Sequence, residues 1–194
     1  MIYKLRTWQI VAIALVAVFT LFITWRVKAL EKRLSQRQAT TAMLGKKAPD
    51  FSLPALDGGN VSLADYKGKR LIINYWASWC GPCRMEMPTL KEFYAKYHKE
   101  HPDFELLAIS IDDDRDEAAG FATKSALPFP VLLDLKKSVA DSYSVDSIPT
   151  TFVIDHDGKV ILANTGYSEV LEFQLTQKLG FNAKAESDSK DSSE

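Results

Sequence analysis

The chain is poor in cysteine, in histidine and in net charge, and each shortage closes off a class of function. Two cysteines among 194 residues cannot build the dense disulfide framework of a small secreted scaffold. A four-ligand zinc site needs two more thiols or suitably spaced histidines. His98, His101 and His156, the only three, do not provide that spacing near the cysteines, so no metal and no cofactor is expected. A formal net charge of −1 gives no signal for nucleic acid. What is present is 46% hydrophobic and 25% charged residues, an ordinary globular balance with enough apolar surface for one domain plus appendages.

Both cysteines fall in one stretch, YWASWCGPCRMEMP, Tyr75 to Pro88. A disulfide between Cys80 and Cys83 closes too short a loop to staple anything distant, which leaves thiol chemistry as the leading reading, against a pair of inert buried thiols. The run RLIINYWAS before them is continuously apolar, as in a strand buried on both faces. From Pro82 the period becomes helical: Cys83, Met87, Leu90, Tyr94 and Tyr97 make one apolar stripe, with Pro88 expected to kink it. The pair therefore sits where a strand gives way to a helix. There the unpaired N–H groups and the macrodipole stabilise an anion on Cys80 and draw its pKa from ~8.5 toward neutrality. Cys80 is the expected nucleophile, attacking a substrate disulfide. Cys83, on the apolar stripe, is the expected resolving thiol that attacks Cys80 and releases the reduced substrate. Pro82 suits a first helical turn and Gly81 lets a partner's backbone approach.

At the N-terminus the 18 residues from Trp8 to Trp25 carry no charge. As a helix they reach ~27 Å, close to the ~30 Å of a bilayer core. Tryptophans at both ends suit the interfaces, with Lys4, Arg6, Arg26 and Lys28 outside them. A cleaved signal peptide and a buried core helix are the alternatives. No small-residue cleavage site follows, since RVKALEKRLSQRQ comes next, so an uncleaved anchor is expected. Counting Lys4 and Arg6 before the span against Arg26, Lys28, Lys32, Arg33 and Arg37 after it, the positive-inside rule puts the large domain in the cytoplasm.

The expected plan is a short flank (1–7), an anchor (8–25), a charged helical stalk (26–44), a folded domain (45–180) and a disordered polar tail (181–194). The folded domain opens with two short strands around Asp57-Gly58-Gly59. Further strands are expected at DFELLAISI, FPVLLD, TTFVID and KVILAN, the last two a hairpin across HDG. Helices are expected at DRDEAAGFATKSAL, KKSVADSYSV and Ser168 to Leu179. Alternating strands and helices ending in a hairpin and a helix imply an α/β mixed sheet covered on both faces. Pro149, directly before a strand, permits a cis Ile148–Pro149 bond in a turn that leaves Ile148 backbone groups free to pair with an extended substrate.

WCGPC, the helix proline Pro88, IPT before a strand and Gly166 after the hairpin together resemble thioredoxins across roughly Gly45 to Leu179. With APDFSL, WASWCGPCRMEMP and IPTTFVID behind an apolar segment, the chain is similar to the TlpA/ResA group of tethered thiol-disulfide oxidoreductases. The resemblance implies a thioredoxin fold with an N-terminal β-hairpin extension behind one transmembrane helix, and a cis-Pro149. It also implies an extracytoplasmic domain that reduces protein disulfides, among them those of apocytochrome c, with electrons from a membrane thiol transporter of the CcdA or DsbD kind. That orientation is the one expected here, against the Lys/Arg count. Two residues depart from relatives. Asn74 stands where thioredoxin has a buried, titrating aspartate, and Gly81 where some relatives carry an acid. The group's glutamate is present as Glu86. Three residues after Cys83, Glu86 either tunes the thiols and accepts the resolving proton or is a solvated helix glutamate.

Three other functions compete. APDFSL also resembles peroxiredoxins, but Ile73 and Ala77 stand where those enzymes have a proline and a threonine or serine. A non-catalytic tethered binding module would not need Cys80 and Cys83, and a cytoplasm-facing tethered thioredoxin fits the basic stalk. Trp76 is expected in the core, and Trp79 on an exposed rim around Cys80 that contacts substrate. Asp112, Asp113 and Asp114 read as a helix start rather than a cation site. His98 and His101 read as solvated near a helix end.

Overall fold

The computed structural model describes residues 6–181; the flank up to residue 5 and the expected tail beyond Phe181 lie outside the described residues. Two compact units part between Gln38 and Ala39. The described residues of the first belong, from Thr7 on, to helix α1 (Thr7–Thr41, 35 residues). Its segment Thr7–Lys32 contains an 18-residue window with a mean hydropathy of 2.3, which by length and composition is enough to cross a membrane and suggests anchoring. The hydroxyls of Thr20 and Thr24 donate back to the carbonyls of Ala17 and Leu21, so neither leaves a bare donor on an otherwise apolar surface.

The second unit begins with a hairpin, β1 (Ser52–Pro54) against β2 (Asn60–Ser62). Gly58 and Gly59 in its turn have φ of 108° and 74°, which a side chain would resist. A single 3₁₀ turn, Leu63–Tyr66, follows. Then come β3 (Arg70–Trp76), α2 (Gly81–Tyr97), β4 (Phe104–Ser110), α3 (Arg115–Ser125), β5 (Val131–Leu133), α4 (Ser138–Ser142), β6 (Thr150–Ile154), β7 (Val160–Thr165) and α5 (Leu171–Leu179). The five-stranded sheet runs β5-β4-β3-β6-β7. β3, β4 and β5 are parallel, while β6 and β7 run antiparallel to their neighbours.

β3 lies at the centre of this sheet and is covered on both sides, which is why its sequence is continuously apolar. Leu71, Ile73 and Tyr75 face a cluster with Leu53, Val139 and Tyr143 from β1, α4 and its exit. Ile72 and Trp76 face the opposite cluster, built from Cys83, Met87, Leu90 and Phe93 of α2 and Leu171 and Leu175 of α5. Helices on one face, and a hairpin with a short helix on the other, give the mixed α/β architecture expected.

Element ends fall within three residues of the expected ranges, most of them inside, though β7 runs one residue beyond, to Thr165; α5 starts at Leu171, after a turn in which the Leu171 N–H donates to the Ser168 carbonyl. The histidines differ from expectation more sharply. His98 stacks on Tyr94 at 4.2 Å and His101 on Phe181 at 4.0 Å, so both rings are half-buried rather than solvated. Phe181, which covers His101, is itself buried and also stacks on Tyr97 at 4.9 Å, which carries the folded body through residue 181.

Candidate active site

Four residues, Ala77 to Cys80, separate β3 from α2. The Cys80 N–H donates to the Ala77 carbonyl at 3.1 Å. Cys80 itself is the extended N-cap of α2 (φ −80°, ψ 107°), with its Sγ accepting the Cys83 N–H at 3.2 Å. A side chain that accepts a first-turn N–H is what an N-cap requires, and Pro82 sits in that first turn at no cost in hydrogen bonds. Cys80 and Cys83 are joined in a disulfide, S–S 2.04 Å with Cα atoms 5.3 Å apart. Both sulfurs are well covered, Cys80 at 5% exposure and Cys83 at 1%. Gly81, Pro82 and Arg84 around them are exposed, and the exposed large apolar side chains nearest in the chain are Trp79 and Met85, at 61% and 60%. Trp76 is fully buried and packs on Phe121 at 5.0 Å, so the two tryptophans divide as expected.

Sixty-eight residues further along, the Ile148–Pro149 peptide bond is cis and the Ile148 carbonyl oxygen lies 3.8 Å from Cys80 Sγ. The sheet brings them together: β6 pairs antiparallel with β3, Tyr75 opposite Thr150, so the residues before β6 meet those after β3. Thr150 Oγ1 donates to the Ser147 carbonyl at 2.7 Å and the Gly166 N–H to the Pro149 carbonyl at 2.7 Å, closing the turn on both sides. Pro149 is buried and Ile148 half-buried.

Three residues after Cys83 on α2, Glu86 is almost fully buried, at 1% exposure, which removes the solvated alternative. Its Oε1 accepts the Asn74 side-chain amide at 2.8 Å and the Thr151 hydroxyl at 3.2 Å, while Asn74 also donates to Thr151 at 2.9 Å. Burial pushes the Glu86 carboxyl up to about 7, against the bonds from Thr151 and Asn74 that pull it down. Glu86 Oε2 has no partner among the described residues. Asn74, which cannot titrate, thus holds a group that can. Thr151 escaped the sequence reading, because its place depends on strand register: it is the residue opposite Asn74 across β3 and β6.

The three aspartates do not share one role. Asp114 caps α3 by accepting the Asp116 N–H at 2.7 Å, and exposed Asp113 pairs with Lys137 at 2.7 Å. Asp112, expected at the helix start, is instead fully buried. The Ile111 N–H donates to the Trp76 carbonyl at 2.9 Å, extending the β3–β4 pairing and turning the next side chain inward. There Asp112 accepts the Ser78 N–H at 3.0 Å on both carboxylate oxygens and the Ser78 hydroxyl at 2.8 Å.

Residues 44–163 match the model of the AhpC/TSA family. Thiol-disulfide oxidoreductase ResA of Geobacillus thermodenitrificans is 39% identical over 129 residues, covering 66% of this chain and 73% of that protein. The chain belongs to this family of thiol-disulfide oxidoreductases. Thioredoxin-like protein YneN of Bacillus subtilis is 36% identical over 135 residues, 70% of this chain and 78% of that one. Among solved structures, a thiol:disulfide interchange protein DsbE from Chlorobium tepidum superposes with a TM-score of 0.66 at 36% identity, covering 71% of this chain and 96% of that one. The fold is therefore the thioredoxin fold, and membership of the oxidoreductase family implies protein substrates. Ile73 and Ala77, at the positions where the peroxiredoxin resemblance implies a proline and a threonine or serine, are fully buried apolar residues here.

Proposed function

We propose that this oxidoreductase works as a protein disulfide reductase on the extracytoplasmic side of a membrane, held there by residues 8–25 as anchor and 26–44 as stalk, with residues 45–180 as the thioredoxin-like domain. The observation that carries the chemistry is the Cys80–Cys83 disulfide at the N-terminus of α2, with Sγ of Cys80 beside the Ile148 carbonyl. In the reduced chain the Cys80 thiolate attacks one sulfur of a substrate disulfide. The substrate S–S bond breaks, a mixed disulfide forms, and one substrate thiolate leaves. Cys83 then gives its proton to Glu86, whose pKa of about 7 suits a proton acceptor at neutral pH. The Cys83 thiolate attacks Cys80, re-forming the disulfide and releasing the second substrate thiolate. Two electrons pass from chain to substrate. A membrane dithiol donor of the CcdA or DsbD kind restores them, and apocytochrome c disulfides are the favoured substrates. Trp79 supplies an exposed apolar contact for the substrate, and Ile148 and Pro149 the backbone edge along which it lies.

Direction is tested by equilibrating the full-length chain, solubilised in detergent, with glutathione buffers and quantifying the dithiol by alkylation. The Gly-Pro pair between the cysteines is the one found in thioredoxin, so a midpoint near ~−270 mV is expected; one near ~−120 mV, typical of an oxidant, would refute the reductase assignment.

A further inference from the structure

Asp112 takes no part in the electron transfer described above, yet it binds the segment that carries the nucleophile. Its carboxylate is fully buried and is satisfied by hydroxyl and amide donors. Ser78 N–H reaches both oxygens at 3.0 Å, Ser78 Oγ donates to Oδ1 at 2.8 Å, and Ser110 Oγ donates to Oδ2 at 2.8 Å. The Asp112 N–H returns a bond to Ser110 Oγ at 3.0 Å. Ser110 ends β4, and its carbonyl accepts the Asp134 N–H at 2.9 Å, so Asp112 is fixed to the end of two parallel strands. Ser78 stands two residues before Cys80, in a connection only four residues long. Apart from these bonds, the connection is closed by the Cys80 N–H to Ala77 carbonyl bond.

We infer that Asp112 is a positioning residue of this oxidoreductase: by pinning Ser78 to the end of β4 it fixes Trp79 and Cys80 against the Ile148–Pro149 turn. The inference rests on Cys80 being the attacking sulfur. It predicts a particular kind of defect. A protein or peptide disulfide must lie along the Ile148 turn and meet Cys80 Sγ at the same time, so its reaction needs both parts in register; a small alkylating agent needs only the thiolate. Misplacement of a reacting atom by about 1 Å costs up to about a hundredfold in rate.

The full-length chain, reduced and in detergent, is mixed with a disulfide-closed Cys-Ala-Ala-Cys peptide and, in parallel, with iodoacetamide. Asp112→Ala is expected to slow peptide exchange by about tenfold while leaving Cys80 alkylation within about twofold of the unmodified chain. Asp112→Asn keeps an acceptor oxygen for the Ser78 amide and an NH₂ that either serine hydroxyl accepts, so it recovers most of the rate. Ser78→Ala removes one donor and loses about threefold. Normal peptide exchange in folded Asp112→Ala overturns the inference. If that variant does not fold, normal exchange in Ser78→Ala overturns it equally. Exchange and alkylation falling together also overturns it, since the effect would then be on thiol chemistry. Cys80→Ser with unimpaired exchange would instead refute the assignment of the nucleophile, and is read on a chain whose Asp112 is intact.

Discussion

Burial lifts the Glu86 carboxyl from its ordinary 4.5 to about 7, so between those values the folded chain holds a proton that the unfolded chain has released. Stability falls with rising pH wherever the folded state binds more protons. Glu86 therefore contributes its full share below about pH 4.5, loses it progressively as pH climbs to about 7, and costs up to about 3 kcal/mol above that. Glu86→Gln keeps the size and an acceptor oxygen for Asn74 and Thr151 without the charge. Compared with the unmodified chain, it should gain stability as pH is raised from 5 to 8, measured as the difference in urea midpoint at each pH. A constant difference across that range would mean that Glu86 does not titrate there. If Glu86 also takes the Cys83 proton, the same substitution slows release of the reduced substrate more than formation of the mixed disulfide, as stopped-flow alkylation of the two steps would resolve.

α2 holds the site as much by its inward face as by its cap. Leu90 is fully buried in the cluster that also holds Cys83 and Phe93, and Leu90→Ala should cost 2–5 kcal/mol, about the range for a leucine cavity in a packed core. α3 carries a removable strain: its C-cap is Ala126 at φ 47°, a left-handed position that only glycine takes without penalty. Ala126→Gly should stabilise the chain by up to about 1 kcal/mol, seen as a raised Tm. These elements also mark where sequence reading succeeds. β3 and α2 were legible because a strand buried on both faces and a helix with one buried face impose periods on the sequence itself. The partners across the sheet impose none. Thr151 meets Asn74 through β3–β6 register, Asp112 meets Ser78 beyond the paired ends of β3 and β4, and Glu86 is held in the interior by Asn74 and Thr151. The half-burial of His101 is hidden for the same reason: the ring that covers it, Phe181, is eighty residues away in sequence.

At the scale of the whole molecule, the Lys and Arg count after the apolar segment and the family resemblance point to opposite sides of the membrane. Fusions of two reporters to the C-terminus, one active only outside the cytoplasm and one fluorescent only inside, should give activity from the first alone. The reverse would leave a membrane-tethered thioredoxin served by cytoplasmic reductants. The body from Ala39 onward is a compact unit of its own, and should fold as a soluble domain and exchange disulfides at an undiminished rate when expressed without the helix before it. The reductase chemistry depends on the order in which the two sulfurs act. The measurement that decides it is mass spectrometry of the intact full-length chain, reduced and mixed with the Cys-Ala-Ala-Cys peptide disulfide. With the freed peptide thiol blocked by rapid alkylation, Cys83→Ser should accumulate a one-to-one mixed disulfide on Cys80, because Cys83 is no longer there to resolve it, while Cys80→Ser should form none on the same timescale. A stable adduct on Cys83 in the Cys80→Ser chain, with none on Cys80 in its counterpart, would contradict the assignment of nucleophile and resolving thiol.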